Sequence, residues 1–263
     1  MQVKIICLNA EKQKERIHPV QAIFPSASIS QAADMRNISA EKLLQDKLIT
    51  TTAYESITDG RKYHHEMGST GAAGLCLSYL NALKDGEGPI LICEDDCVPS
   101  PKLPTVIRKL LTLSSEFDMA IFGPLRYEHD KSDIRFPLKN FDRLNNYYWG
   151  NHALLFTGAG RQKAISHLQP PYDLQLDAHF SRLCMYGDYR AIIQFSSPPL
   201  ATQLKHVSTV QTLTCPMCDL DPYSYPDSIK LSLPSVTLIC LLVLVLLYKK
   251  EFKDFLKMFV KKI

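Results

Sequence analysis

A chain of 263 residues, 46% hydrophobic and 22% charged, has room for one α/β domain with an appendage and enough apolar side chains to bury a core. Its net charge of +3 is unevenly placed: the stretch from Lys249 to Ile263 holds six Lys against Glu251 and Asp254, so everything before it is slightly acidic. That balance excludes a basic, nucleic-acid-binding body.

In chain order, Met1-Gln2-Val3-Lys4-Ile5-Ile6-Cys7-Leu8-Asn9 turns polar too early for a secretory leader and reads as a strand over Val3–Leu8. Val20–Phe24 reads as a second strand. Leu43, Leu44 and Leu48 have helical spacing over Ser39–Leu48, with Ser39 as N-cap. Gly68, Gly71 and Gly74, then Leu75, Leu77, Leu80 and Leu83, predict a turn feeding a helix packed close to a sheet. No strand precedes these glycines and no Lys-Ser/Thr follows them, which argues against a phosphate-binding loop. Ile90–Cys93 is the central strand, Pro101–Leu113 a helix and Met119–Phe122 a strand. Ala153–Phe156 and Arg190–Phe195 are further strands, with helices at Ala159–Leu168 and Leu174–Met185. Alternation of this kind predicts a three-layer α/β sandwich with a mostly parallel sheet.

The central strand stops at Glu94-Asp95-Asp96. Open α/β sheets bind ligands beyond the carboxyl ends of their strands, and clustered carboxylates repel unless something positive compensates them. Oxygen ligands suit Mg²⁺ or Mn²⁺, ions that commonly hold a nucleotide's phosphates. A solvated turn, or the cap of a following helix, accounts for three acids equally simply.

Four segments organise the chain: a catalytic body over 1–205, a Pro-rich linker over 206–230, an uncharged stretch over 231–248 and a basic tail over 249–263. Eighteen residues in a helix span about 27 Å, enough to cross a bilayer core of about 30 Å. In the tail, Phe252, Phe255, Leu256, Phe259 and Val260 alternate with Lys as in an amphipathic surface helix. The expectation is a membrane-anchored protein, single-pass or monotopic, with a cytosolic body. The basic tail argues the other way for a full span, because positive charge prefers the cytosolic side, so orientation stays open. Cys93, Cys97, Cys215 and Cys218 could suggest a structural zinc. The first pair flanks carboxylates and the second lies in the linker, so reduced, packing cysteines are the expectation.

Four blocks in order resemble glycosyltransferase family 25, the family of bacterial lipooligosaccharide and collagen galactosyltransferases. They are Ile5-Ile6-Cys7-Leu8-Asn9 with Arg16 downstream, Gly74-Leu75-Cys76-Leu77-Ser78-Tyr79, Ile90-Leu91-Ile92-Cys93-Glu94-Asp95-Asp96, and Trp149 through Ala159. Pro171-Tyr172-Asp173-Leu174 and a closing Pro198 to Gln203 follow the last block. In the second block the Cys is displaced by one position and Tyr79 stands where the family has His. The resemblance spans the body and neither linker nor tail. It implies a GT-A-like fold and transfer of a sugar, typically galactose, from a UDP-sugar to a glycan, glycolipid or glycoprotein acceptor.

In such a site Glu94 and Asp96 would bind Mn²⁺ or Mg²⁺, and Asp95 would touch ribose or a second-shell group. An inverting reaction needs a carboxylate base, for which Asp173 is the matched position and Asp177 its neighbour one helical turn on. Each assignment has a plainer counterpart. Asp173 could cap the helix starting at Leu174. His152, a candidate acceptor or phosphate contact, sits at a strand edge where histidines often only pack. Ser78 and Tyr79 could belong to helix packing near the nucleotide, and Tyr148 and Trp149 could pack as well as stack on sugar. Two other functions compete: a catalytically degenerate member acting as a membrane-bound scaffold, and a metal-dependent phosphoesterase, for which no second His/Asp cluster is found.

Overall fold

The computed structural model of the protein describes residues 1–127, 136–195 and 197–204. In chain order the elements are β1 Gln2–Cys7, α1 Lys14–Ile23, β2 Ser28–Gln31, α2 Ala40–Gln45, α3 Thr51–Thr58, α4 Thr70–Lys84, β3 Ile90–Glu94, β4 Cys97–Pro99 and α5 Leu103–Leu111. There follow β5 Met119–Ile121, β6 Arg126–Tyr127, β7 Phe141–Arg143, β8 Tyr148–Trp149, β9 Ala153–Phe156, α6 Gly158–His167, α7 Leu176–Tyr186, β10 Ala191–Gln194 and β11 Ala201–Gln203. The expected membrane stretch over 231–248, the linker with Cys215 and Cys218, and the basic tail lie outside the described residues. Among the described residues no helix is long and apolar enough to cross a membrane.

The main sheet has the order β2-β1-β3-β9-β5-β10-β7. Strands β2, β1, β3, β5 and β10 share one direction, while β9 and β7 run against it. The sheet is therefore mixed, with most strands parallel. Its central strands are apolar on both faces, as a sheet covered twice requires. Ile90, Ile92, Leu154 and Phe156 face one core, which α2, α3, α4, α6 and α7 close; Leu91, Cys93, Ala153 and Leu155 face the other, closed by α1 and α5. The result is helices, sheet, helices.

One strand expectation fails. Val20 and Ile23 belong to α1, and Pro19 lies inside that helix. Ile17, Val20 and Phe24 recur at spacings of three and four and pack as one stripe on the sheet, so the period is helical although the local composition is strand-like. The second strand is β2, whose exposure along an edge hides the usual hydrophobic signal. Ser39 does cap α2, accepting from Lys42 N. Ser69 caps α4 by accepting from Ala72 N.

Helix α4 is pressed against the segment that leaves β2. A Cβ on Gly74 would lie 2.4 Å from the Ala33 carbonyl oxygen, and Ser78 Oγ accepts from Ala33 N at 2.9 Å while donating to Gly74 O at 2.6 Å. The helix cannot retreat without breaking that seam. Gly74→Ala, which in an exposed helix would help by about 1 kcal/mol, should here destabilise by about 1–3 kcal/mol, measurable as a lower urea midpoint.

Candidate active site at the carboxyl edge of the sheet

Strands β1 and β3 end at the same edge of the sheet, and β9, running against them, begins there. The Glu94 N–H donates to His152 O across that junction. The loop after β1 brings Arg16 on α1 to the edge, and β4 pairs with β11 so that Gln203 lies opposite Cys97. The N-terminus of α7 reaches the same edge, where Asp177 Oδ2 accepts from Gly150 N at 3.4 Å.

Glu94 is the last residue of β3, and Asp95 and Asp96 form the turn into β4. Alternation places Glu94 on the same face as Ile92, toward α4. The turn ends the alternation, so Asp96 does not simply follow Glu94. Arg16 Nη2 bonds Asp95 Oδ1 at 2.6 Å and lies 3.6 Å from Asp96 Oδ2, and Gln203 Nε2 donates to Asp96 Oδ2 at 2.9 Å. Asp95 thus meets a guanidinium of the protein itself, a partner that sequence reasoning did not name. On the other side, Tyr79 Oη donates to Asn151 O at 2.6 Å and lies 3.4 Å from Glu94 Oε1. Tyr79 is buried, so a neutral phenol stands beside the strand end; burial also pushes its pKa well above the usual value. Burial, then the charges of Asp96, Asp95 and Asp177, push Glu94 well above the usual carboxylate range.

Asp177 is the second perturbed acid. Burial raises it to about 6, although the Ala178 and Gly150 amides and the Arg61 charge pull the other way. Its Oδ1 accepts from Ala178 N at 2.8 Å. Arg61, 5% exposed, and the loop following it were not singled out in the sequence, because they carry no hydrophobic period and no motif.

Three expected site residues have other roles. Asp173 neither caps a helix nor shares a face with Asp177: α7 begins at Leu176 behind Gln175, and Arg182 clamps both Asp173 oxygens at 2.7 and 3.0 Å. The one-turn relation fails because Asp173 precedes the helix. Ser78 is buried in the α4 seam. His152 is buried with its Nε2 hydrogen-bonded to Gly123 O, tying β9 to the loop after β5.

Among the described residues no three His, Cys, Asp or Glu side chains are grouped to hold a metal by themselves. A shared ion is a different case. Asp96 Oδ1 is buried without a hydrogen-bond partner among the described residues, and Glu94 beside it is destabilised as an anion. Mg²⁺ and Mn²⁺ are commonly held by one or two carboxylates with phosphate and water completing the shell. The donor set fits that arrangement.

No family model matches the sequence, and no curated protein does. Among solved structures the chain is similar to UDP-glucose pyrophosphorylase complexed with UDP-glucose, with TM-score 0.40 and 9% identity over 75% of this chain and 91% of that one. It is also similar to the inositol-1-phosphate CTP transferase from T. maritima, with TM-score 0.37 and 10% identity over 77% and 88%. Likenesses at this level define neither a family nor an activity.

The raised Asp177 pKa has a consequence for stability. The folded protein holds this proton more tightly than an unfolded chain, whose value is 3.8, so the contribution is fully present below pH 3.8 and is lost as pH rises through about 6. Asp177→Asn removes that loss. Relative to wild type, its unfolding free energy should improve by about 2–3 kcal/mol between pH 4 and pH 7, as read from urea denaturation at both pH values.

Proposed function

We propose that the protein is a GT-A-type glycosyltransferase similar to family 25, transferring a sugar from a UDP-sugar to a carbohydrate-bearing acceptor. One observation carries the reading: blocks far apart in sequence converge on one sheet edge. Arg16 from the first block meets Asp95, Tyr79 from the second meets Glu94, Gly150 from the fourth meets Asp177, and Gln203 from the closing element meets Asp96. Local packing alone has no need to bring these segments to a single acidic turn.

In this reading Glu94 and Asp96 hold a divalent cation together with the donor's diphosphate, and Arg16 and Gln203 fix the turn that carries them. A cation held there would supply charge neutralisation for the departing UDP. The acceptor hydroxyl oxygen forms a bond to the anomeric carbon as the bond from that carbon to the diphosphate breaks, and the hydroxyl proton passes to a base. Asp177 suits that role better than Asp173. Its pKa near 6 leaves it ionised at neutral pH yet basic enough to accept a proton, whereas Asp173 is committed to Arg182. The apolar stretch over 231–248 would hold the body, on its cytosolic side, at a membrane carrying the acceptor.

Isothermal calorimetry with UDP tests the reading. Binding should require Mn²⁺ or Mg²⁺ and vanish in Asp96→Ala; Mn²⁺-independent binding or none would replace a transferase with a scaffold. In a donor screen over UDP-Gal, UDP-Glc, UDP-GlcNAc and UDP-GalNAc, Asp177→Asn should lower turnover by about 10²–10⁴-fold and abolish an acidic limb near pH 6. Asp173→Asn should cost less than about tenfold, since what it breaks is a partly exposed ion pair.

A further inference from the structure

Beside Asp177 stands a group of rings that the proposed chemistry does not use. Tyr63 and His65 stack with centroids 5.5 Å apart and planes 6° from parallel, and His65 stacks on Tyr147 at 6.0 Å and 27°. His64 and Trp149 meet at 5.5 Å and 42°. All five are half-exposed. They form a shelf rather than a core.

The shelf is tied to the base from both ends. On the loop side, Glu66 pairs with Leu174 in an isolated bridge, Gln175 N donates to His65 O at 3.1 Å, and Gln175 Nε2 donates to Glu66 O at 3.0 Å. Gln175 is the cap residue of α7, two positions before Asp177. On the sheet side Trp149 ends β8, and the next residue, Gly150, donates its N–H to Asp177. Whatever rests on these rings is held in fixed relation to the Asp177 carboxylate.

We infer that this shelf, Tyr63, His65 and Tyr147 with His64 and Trp149, binds a saccharide and is the acceptor subsite of the proposed transfer. A pyranose presents C–H faces that stack on aromatic rings and a rim of hydroxyls that carboxylates and amides can bond. Preformed, parallel, half-exposed rings supply the stacking at little conformational cost. His64 adds to it as a neutral ring, because burial and the neighbouring Arg61 charge lower its pKa to about 4. A uracil base would stack equally well in principle, so the titration with UDP and Mn²⁺ alone separates the two ligands. The term "acceptor" rests on the transferase reading; the saccharide does not.

Trp149 is the only tryptophan of the chain, so its fluorescence reports the shelf directly. The full chain is titrated with lactose, N-acetyllactosamine, chitobiose and maltose, with UDP and Mn²⁺ present and, separately, with UDP and Mn²⁺ alone. A saturable change with at least one sugar is expected, weakened about tenfold in Tyr147→Ala and restored in Tyr147→Phe, both melting near the wild-type temperature. The inference is overturned if none of these sugars gives a saturable change, if Tyr147→Ala binds as wild type, or if UDP alone produces the change. Absence of UDP binding by calorimetry, with the sugar response intact, would instead sink the transferase reading and leave the saccharide site standing.

Discussion

Glu94, Asp95, Asp96 and Asp177 meet at one end of a sheet whose strands are otherwise apolar, and four carboxylates so placed must each find a counterweight. Coulomb repulsion at such distances is worth several kcal/mol once water is thinned out, so the surrounding residues are arranged around it. Arg16 neutralises the turn from one side of the sheet. Backbone amides of Gly150 and Ala178 hold Asp177 from the other. Glu94 is buried beside the Tyr79 phenol, and burial together with the neighbouring acids raises its proton affinity. What remains, among the described residues, is a Glu94 destabilised as an anion near an Asp96 oxygen that has no hydrogen-bond partner.

The inverted strand β9 is what makes the arrangement possible. A strand in its place running parallel to β3 and β5 would bring its carboxyl end to this edge and its amino end to the far one. Because β9 runs the other way, the residues entering it, Trp149 through His152, arrive beside Glu94. Gly150 then reaches Asp177, and Asn151 O reaches Tyr79. The two-residue strand β8 and the loop over residues 61–66 flank this entry, which is why an aromatic shelf and a perturbed carboxylate lie within a few residues of each other.

Individual residues show where sequence reading works and where it stops. Ser39 caps its helix as its local pattern requires, and Gly74 sits where a helix meets passing backbone. Glu94 and Asp96 were legible as a strand-end cluster because an apolar run that stops at acids is a local event. The surroundings of Asp173 were not legible because they depend on Arg182, nine residues away, and on a helix that starts two residues later than the pattern suggests. Ser78 Oγ accepts from Ala33 N and His152 Nε2 bonds Gly123 O, contacts with distant segments that no local pattern announces. The α1 region was taken for a strand because Val, Ile and Phe near a proline mimic one until the sheet they pack on is known.

By itself, the sequence determined the layered α/β class, the central strand with its acidic end, and the order of the blocks, since these depend on local period, composition and succession. The tertiary structure alone decided which acids face each other, that Arg16 and Gln203 serve the acidic turn, and that Asp177 is buried against the Gly150 and Ala178 amides while Asp173 pairs with Arg182. Those relations depend on strand direction and on burial, and neither is a property of any short stretch of chain.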